Sequence, residues 1–315
     1  MGRLFYHEQE VFRETILRCD EYVRKYLGWS LQDDFSKRFP SSQQYRDEER
    51  IQPAMTTLQI ATSDLLRSQG VRPSAVAGLS MGELAAGYTA EVLTLQEAMK
   101  ISCCVSKLTR WKLSPGQMAF TRLSASETRK ILKQFDDRAV LAVELSPAMN
   151  VISGPESVIG GILATLNERG VRCGRIQVGF AFHSPEVLSL KEPFFDYLQQ
   201  IRAESGSVPM YSSVTGLRHD GTHFDHEYWW QIYHRPARFH SLIISLLADG
   251  FDTFVEVGPH PTLLQAINDT ARASGKVVVV VCGMKRDQDD RSSWEEAKHK
   301  LRAAQVKANG CSHPH

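Results

Sequence analysis

The stretch AVAGLSMGELAAG, residues 75–87, contains a serine between two glycines. Its core, GLSMG at residues 78–82, has the GxSxG spacing of a nucleophile on a sharp turn from a strand into a helix. Residues 74–77 resemble a short strand, and helical spacing of apolar residues runs from Met81 to about Leu108. We therefore predict that Ser80 is a nucleophile, the alternative being a small residue at a tight turn.

The composition of the whole chain is that of an ordinary globular protein. Of its 315 residues, 42% are hydrophobic and 23% are charged, which is enough apolar material for a core. A net charge of +1 disfavours nucleic acid or an anionic membrane surface as a partner. The apolar run at 277–282 is too short to span a bilayer, and no signal-peptide pattern is present. We predict a cytoplasmic protein that binds neither nucleic acid nor membranes.

The cysteines and histidines indicate neither disulfides nor a metal site. The six cysteines have no CxxC or framework spacing, so we expect reduced thiols, mostly in the core. Three histidines in RHDGTHFDHEYWW, residues 218–230, are spaced like metal ligands. The glycine and acidic residues between them fit a solvated hairpin loop better, and we predict no metal site.

The order of predicted elements indicates two subdomains. Apolar residues at helical spacing predict helices over 11–27 and 52–68. Residues 116–183 then follow a β-α-β-β-α-β order, which is typical of a ferredoxin-like subdomain. Its predicted strands and helices are, in chain order, strand 118–123, helix 126–135, strands 140–145 and 150–153, helix 156–169 and strand 172–178. We predict that this small subdomain is inserted into a larger α/β one made of residues 1–115 and 184–315.

The larger subdomain is predicted to continue after residue 184 with a helix and then with strands at 209–213, 253–257 and 277–282. His183 follows the last strand of the small subdomain in the sequence GFAFHSP. Because clefts form where two subdomains meet, we select His183 as the candidate base for Ser80, the alternative being a buried core histidine.

Several stretches resemble malonyl-transacylase-type acyltransferases, above all the acyltransferase domains of modular polyketide synthases. In chain order they are EVFRETILRCDEY, QPAMTTLQIA, GLSMGE, AFHSP, PMYSSVTG, EYWW followed by RPARF, and FVEVGPHPTL. They extend over nearly the whole chain. The resemblance implies a hydrolase-like α/β core with a parallel sheet and an inserted ferredoxin-like subdomain, in agreement with the element order above.

The resemblance also implies a Ser-His pair that works without an acid. Ser80 would attack an acyl thioester, and His183 would take its proton while a backbone carbonyl near Ile232 orients the imidazole. The Met81 N–H, at a helix N-terminus, would stabilise the oxyanion. The donor would be an acyl-CoA or acyl-carrier thioester, and the acceptor the phosphopantetheine thiol of an acyl carrier protein; no bound cofactor is expected.

One departure from the family concerns the charge of the acyl group. Malonyl-type members carry an arginine that clamps the substrate carboxylate, and Val105 stands at its position. No cationic residue lies one helical turn from Val105, where the neighbours are Ile101, Ser102, Leu108 and Thr109. Burying an unpartnered carboxylate against valine would cost several kcal/mol, on the order of a thousandfold in affinity. We therefore predict an uncharged acyl group.

Two further family positions are apolar in this sequence. Leu79 replaces the usual histidine before the nucleophile, and Leu145 replaces the usual asparagine of an NSP stretch. We predict that Leu79, Val105, Leu145 and Phe182 shape the acyl pocket. Drift in a protein that has lost activity would produce the same replacements, although Ser80 and His183 are retained.

The family opens with a strand and a GQGSQ-like loop whose glutamine N–H is a second oxyanion donor. The residues MGRLFYHEQEVFRE align after that loop. Loss of one such donor costs about 3 kcal/mol in the transition state. We expect the natural chain to include this segment, and we expect weak activity or poor folding without it.

The sequence thus predicts a discrete acyltransferase of a polyketide-type pathway that moves an uncharged acyl group between thioesters. Carrier proteins are acidic, and Arg218, Arg235 and Arg238 are candidate docking residues. Two alternatives remain open: an acyl-thioester hydrolase that clears carrier proteins, and an inactive docking subunit.

Overall fold

The computed structural model describes residues 2–36, 48–198, 201, 204–219, 223–286 and 288–310. Within these residues the chain forms a mixed α/β fold. The helices are α1 (Arg3–Glu8), α2 (Glu10–Leu27), α3 (Gln32–Ser36), α4 (Glu48–Ser68), α5 (Gly82–Thr89), α6 (Leu95–Lys112), α7 (Ala125–Lys133), α8 (Glu156–Glu168), α9 (Lys191–Leu198), α10 (His226–His234), α11 (Phe239–Ala248), α12 (Leu264–Ala273) and α13 (Asp290–Gly310). The strands are β1 (Val76–Ala77), β2 (Gln117–Thr121), β3 (Val140–Ser146), β4 (Met149–Gly154), β5 (Cys173–Arg175), β6 (Met210–Tyr211), β7 (Arg218–His219), β8 (Thr253–Glu256) and β9 (Val279–Cys282).

The N-terminal part of the fold is a packed group of helices, chiefly α2, α4 and α6. Their apolar faces meet in one core, where Phe12, Ile16, Ile60 and Ile101 are fully buried. Each such side chain contributes about 1.5–3 kcal/mol relative to exposure. The helices α2 and α4 match the predicted segments 11–27 and 52–68 closely at their C-terminal ends.

The segment after the nucleophile differs from its prediction. A single helix was expected from Met81 to about Leu108, but α5 ends at Thr89 and α6 begins at Leu95. Glu91 between them has a φ of 65°, outside the helical region. Thr94 then starts α6 with a capping box, in which the Thr94 side chain accepts from the Glu97 N–H and the Glu97 carboxylate accepts from the Thr94 N–H. Ser80 therefore lies just before α5, whereas Val105 lies in α6.

The strands of the larger predicted subdomain form two short sheets. In the first, β1 pairs in parallel with β6, and β7 pairs antiparallel with β6. In the second, β8 and β9 pair in parallel. The predicted parallel sheet is thus present as two separate parallel pairs among the described residues, and its strands are shorter than predicted.

Residues 117–175 form a four-stranded antiparallel sheet in the order β3-β4-β2-β5. The elements follow the predicted β-α-β-β-α-β order, and the last strand ends at Arg175 rather than at 178. Helices α7 and α8 cover one face through a core that includes Ile131 and Ile159. The opposite face, with Val143 and Val151, packs against α11 and α12 in a second core. Among the described helices, none combines the length and apolar composition needed to cross a membrane.

Candidate active site

Ser80 lies on the turn that connects β1 to α5. The Gly82 N–H donates to the Leu79 carbonyl at 2.9 Å, and the Glu83 N–H donates to the Ser80 carbonyl at 2.9 Å. A Cβ on Gly78 would stand 2.3 Å from the Glu83 nitrogen, so only glycine fits at this point of the turn. Ser80 itself has a φ of 52°, a strained conformation that is typical of a nucleophile elbow.

His183 lies in the loop between β5 and the 3-10 helix of residues 185–190, and its φ of 59° is also positive. Its backbone N–H donates to the Tyr233 carbonyl at 2.9 Å. Its Nδ1 lies 2.7 Å from the carbonyl oxygen of Arg235. The expectation that a carbonyl near Ile232 orients the imidazole was therefore wrong by three positions: the chain turns out of α10 at Arg235, whose carbonyl faces the ring.

Ser80 Oγ and His183 Nε2 are 2.8 Å apart. Because the Arg235 carbonyl can only accept, Nδ1 must carry the proton of the neutral ring, which leaves Nε2 free to accept the Ser80 hydroxyl proton. The Ile232 carbonyl oxygen also faces this hydroxyl, at 3.3 Å. The pair has the geometry of a nucleophile and its general base.

The electrostatics of His183 favour the form that can act as a base. The side chain is buried, and loss of hydration lowers its pKa to about 4; the hydrogen bond to the Arg235 carbonyl opposes this shift, and His234 adds to it. The imidazole is therefore neutral near pH 7.

Met81 occupies the N-cap position of α5. Within the described residues the Met81 N–H has no acceptor. Met81 directly follows the nucleophile and lies at the N-terminus of a helix. This is the arrangement required of an oxyanion donor.

A buried polar network lies beneath the turn. Glu83 accepts at one carboxylate oxygen from the Ser213 N–H, at 2.9 Å, and from the Ser213 hydroxyl, at 2.5 Å. Its other oxygen accepts from the Tyr228 hydroxyl, which also lies 2.6 Å from Ser212 Oγ. Ser213 Oγ in turn accepts from the Ser80 N–H at 3.2 Å. Glu83 is fully buried, and loss of hydration raises its pKa to about 7 against the opposing hydrogen bonds. The network ties the nucleophile's backbone to α10 and to the residues after β6.

A narrow apolar cavity lies close to His183, because its lining includes Phe182, the chain neighbour of His183, and Tyr233, whose carbonyl accepts from the His183 N–H. Val105 and Leu108 of α6, Phe182, and Trp230 and Tyr233 of α10 line it, together with the 3-10 helix and α9. These side chains pack so closely that the space between them does not admit a water molecule. Val105 is 2% exposed.

The site and the fold place the chain among known proteins. The profile of the acyl transferase domain matches residues 1–308. The chain belongs to this family. The acyl transferase domain is 34% identical over 288 residues to erythronolide synthase EryA2 of Saccharopolyspora erythraea, a match that covers 91% of this chain and 8% of that protein. The chain thus spans a small fraction of the curated relatives it matches.

Solved structures of polyketide synthase domains are similar to this acyl transferase domain over most of its length. The acyltransferase domain from module 8 of the salinomycin polyketide synthase is 29% identical with a TM-score of 0.85, covering 92% of this chain and 69% of that one. A loading acyltransferase from the avermectin modular polyketide synthase is 28% identical with a TM-score of 0.90, covering 96% and 95%. The chain is an acyltransferase domain homologous to those of polyketide synthases.

The four predicted pocket residues of the acyl transferase domain fall into two groups. Val105 and Phe182 line the same cavity. Leu79 and Leu145 belong instead to the core shared by the four-stranded sheet and α11. Phe182 contacts both regions, since it also packs against that core.

The three predicted docking arginines are exposed. Arg235 and Arg238 stand on either side of Pro236–Ala237; the Arg235 carbonyl faces His183, and the Arg238 N–H donates to the Ser213 carbonyl at 2.6 Å. Arg218 is more distant along the chain, in β7. Within the described ranges none of the three guanidinium groups forms an ion pair with a carboxylate.

The histidine-rich segment lies partly outside the described residues, which omit 220–222. His219 Nε2 is 2.7 Å from Thr215 Oγ1, and its ring contacts that of His223. Within the part of the chain that the structure describes, no group of three histidine, cysteine or carboxylate side chains is arranged to hold a metal ion. Five of the six cysteines are described, and each is a free thiol.

Sequence reasoning missed the buried network and Tyr233. Glu83 directly follows the GxSxG glycine, and an acidic residue in an otherwise apolar helix start, ELAAG, is the signal that indicates a buried carboxyl. Tyr228 and Ser213 lie inside stretches already matched to the family, EYWW and PMYSSVTG. No pattern in the sequence distinguishes Tyr233 from a core aromatic residue, and its contact with the site is made by its backbone carbonyl, which accepts from the His183 N–H.

Proposed function

We propose that this acyl transferase domain transfers an uncharged acyl group between thioesters through an acyl-enzyme on Ser80. The observation that carries the proposal is the position of Val105 in an apolar cavity that also includes Phe182, the chain neighbour of His183. A malonyl carboxylate in this cavity would meet no cation among the described lining residues and would lose its hydration, at a cost of several kcal/mol. An alkyl or other uncharged acyl chain would gain from burial against these apolar side chains, which would have to separate to admit it, since the space between them does not hold a water molecule.

The chemistry follows from the geometry of the pair. Ser80 Oγ attacks the thioester carbonyl carbon while its proton passes to His183 Nε2, and the Met81 N–H donates to the developing oxyanion. Collapse of the tetrahedral intermediate breaks the C–S bond, and the leaving thiolate takes the proton from His183. The acyl-enzyme is consumed by the reverse sequence with a second thiol.

The second thiol is proposed to be the phosphopantetheine of an acyl carrier protein, and the donor an acyl-CoA or acyl-carrier thioester. Exposed Arg235 and Arg238 beside the site, with Arg218 farther away, offer positive charge for an acidic carrier protein. One of the similar structures is of a loading acyltransferase, which favours a starter acyl group. We further propose that the domain acts in the cytoplasm without a bound cofactor.

We also propose a division of the chain into two subdomains. Residues 116–183 would be a ferredoxin-like subdomain inserted into a hydrolase-like core of residues 1–115 and 184–315. The β-α-β-β-α-β order and the antiparallel pairing of β2 to β5 support the first part, and the parallel pairs β1–β6 and β8–β9 support the second.

The proposal is tested by incubating the protein with butanoyl-CoA and following its intact mass. We expect the mass of one butanoyl group to appear in the wild type and in Ser74→Ala, an exposed serine before β1, but not in Ser80→Ala. Added holo carrier protein should then remove the group faster than buffer alone. Rapid loss to water would instead identify a hydrolase, and absence of loading would identify a docking subunit.

A further inference from the structure

Ser213 lies between the nucleophile and the polar network beneath it. The residue follows β6 and is 1% exposed. Its hydroxyl oxygen accepts from the Ser80 N–H at 3.2 Å, and its hydroxyl proton is donated to the Glu83 carboxylate at 2.5 Å. One buried hydroxyl group therefore joins the backbone of the nucleophile to a buried carboxyl group.

Glu83 fixes the direction in which the Ser213 hydroxyl points. The carboxylate oxygen that accepts from this hydroxyl also accepts from the Ser213 N–H, at 2.9 Å. Because that oxygen faces two donors, it acts as an acceptor, and the lone pairs of Ser213 Oγ stay available to the Ser80 N–H. The Glu83 N–H in turn donates to the Ser80 carbonyl at 2.9 Å. Both backbone polar groups of Ser80 are thus held by Glu83, one directly and one through Ser213.

The backbone of Ser213 connects this contact to the base. The Ser213 carbonyl accepts from the Arg238 N–H at 2.6 Å. Three residues earlier in the chain, the Arg235 carbonyl lies 2.7 Å from His183 Nδ1 and orients the ring. Ser213 therefore bonds both the turn that carries the nucleophile and the segment, residues 235–238, that orients its base.

The bond from the Ser80 N–H acts on the strained part of the nucleophile. The φ angle is the rotation about the N–Cα bond, and at Ser80 it is 52°, in the left-handed region. A residue other than glycine keeps such a conformation only where its surroundings impose it. Without an acceptor for this N–H, the turn would be free to relax, and Ser80 Oγ would leave its position 2.8 Å from His183 Nε2.

We propose that Ser213 is a positioning residue for the acylation of Ser80, whose hydroxyl, directed by Glu83, holds the nucleophile in the conformation that places Ser80 Oγ against His183 Nε2. Ser213 acts through the backbone of Ser80 and not on the reacting atoms. This inference rests on the part of the proposed function that makes Ser80 the nucleophile and His183 its base, and it is independent of the acyl group. Loss of one hydrogen bond of this kind corresponds to about a tenfold fall in rate.

The test measures how fast Ser80 reacts with diisopropyl fluorophosphate, a reagent that carries neither an acyl chain nor a CoA arm. Ser80 Oγ attacks phosphorus, the P–F bond breaks, fluoride leaves, and the hydroxyl proton passes to His183. The rate therefore reports on the nucleophile and its base alone. It is followed by intact mass for the wild type and for Ser213→Ala, Ser213→Val and Ser213→Thr, with Ser80→Ala as the blank.

We expect Ser213→Ala to react about tenfold more slowly than the wild type. Ser213→Thr keeps the hydroxyl and should react within about twofold of the wild type, whereas Ser213→Val, which has the shape of threonine without its hydroxyl, should be as slow as Ser213→Ala. The comparison of threonine with valine does not depend on whether the alanine variant folds.

Thr15→Ala is the matched control for a loss of stability. Thr15 lies in α2 and is 2% exposed, and its hydroxyl donates to the Asp64 carboxylate at 2.9 Å. Thr15→Ala and Ser213→Ala each remove a buried hydroxyl that is bonded to a carboxylate, so both should lower the thermal unfolding midpoint. Only Ser213→Ala should slow the reaction of Ser80.

Equal rates in the wild type, Ser213→Ala and Ser213→Val would overturn the inference and leave Ser80 as the nucleophile. An equal slowing in Thr15→Ala, or a Ser213→Thr protein as slow as Ser213→Val, would show that the rate follows stability and not the hydroxyl, and would also overturn it. Absence of reaction at Ser80 in the wild type would overturn both the inference and the proposed function.

Discussion

Ser80 and His183 both adopt positive φ angles, 52° and 59°, although neither is glycine. Such conformations cost about 1–3 kcal/mol each and persist only where the surroundings impose them. For Ser80 the constraint comes from the turn into α5 and from the Ser213 hydroxyl, and for His183 from the Tyr233 and Arg235 carbonyls. The 2.8 Å contact between the two side chains is therefore set before substrate arrives.

The low pKa of His183 predicts the pH dependence of acylation. The base must be neutral, and burial lowers its pKa from 6.5 to about 4. The single-turnover rate of Ser80 acylation should therefore stay level through pH 6.5 and fall only as the pH approaches about 4. His183→Ala should lose about a hundredfold or more in rate. An inflection near 6.5 that is unchanged in Glu83→Gln would contradict this assignment.

Glu83 predicts a pH dependence of stability with the opposite sign to that of His183. Its pKa is raised from 4.5 to about 7 in the folded protein, so between these values the folded state holds a proton that the unfolded state has released. The free energy of unfolding from this group therefore decreases as pH rises through that window. Glu83→Gln cannot ionise, and the decrease should be smaller in the variant.

This difference is measured by chemical denaturation of both proteins at several pH values between about 5 and 8. The contribution of His183, whose lowered pKa makes stability increase with pH between about 4 and 6.5, is common to both proteins and cancels in the comparison. The same dependence on pH in wild type and variant would show that Glu83 is ionised throughout.

At the scale of elements, the break between α5 and α6 determines how the cavity is built. Val105 lies in α6 and lines the cavity. Because Ser80 precedes a different helix, α5, the position of Val105 relative to Ser80 depends on how α6 packs against its neighbours. It cannot be calculated by counting residues along one continuous helix from Ser80. The sequence TLQE at residues 94–97 is a capping-box pattern and indicates the start of α6. The break between α5 and α6 was missed in the sequence because apolar residues keep helical spacing on both sides of it.

The β1–α5 turn predicts opposite outcomes for two glycines four residues apart. A Cβ at Gly78 would lie within 2.5 Å of the Glu83 backbone, whereas one at Gly82 would meet only the Gln59 side chain, at 3.8 Å. Gly78→Ala should therefore lower the free energy of unfolding by about 1–3 kcal/mol or more and abolish Ser80 acylation. Gly82→Ala should leave stability nearly unchanged. Equal stability of the two variants, measured by denaturant titration, would contradict the described turn.

At the scale of the whole molecule, the four-stranded sheet and the C-terminal helices share a core. Val143 and Leu145 of β3 are buried together with Leu242 of α11, and a parallel bridge joins Val143 to Ala237. The Arg122–Asp269 ion pair adds a contact between the loop after β2 and α12. We therefore expect the sheet and these helices to unfold together.

Two residues of α11 test this shared core. Leu242 is fully buried, and Leu242→Ala should lower the free energy of unfolding by about 2–5 kcal/mol in one cooperative transition. Ile244, on the same helix but 42% exposed, is the matched control, and Ile244→Ala should cost much less. Two separate transitions in calorimetry of the Leu242→Ala protein would mean that the sheet is an independent unit.

Much of the fold and the central pair could be predicted from sequence, because they depend on local patterns. The GxSxG spacing identified Ser80 as the candidate nucleophile, and the position after a predicted strand identified His183 as the candidate base. The carbonyl that orients His183 could not be predicted, because it depends on where α10 ends: the Arg235 N–H still bonds the Gln231 carbonyl, and the chain turns only after it. The hydrogen bond from the His183 N–H to the Tyr233 carbonyl depends on packing between distant segments, which no local pattern encodes.

The central claim is that Ser80 carries an uncharged acyl group, and a competition experiment tests it most directly. The protein is mixed with equal concentrations of butanoyl-CoA and malonyl-CoA, and the mass of the peptide that contains Ser80 is determined after a single turnover. We predict that the butanoyl adduct dominates by on the order of a thousandfold, since the residues that line the cavity offer the malonyl carboxylate no cation. A peptide that carries mainly malonyl would contradict the account.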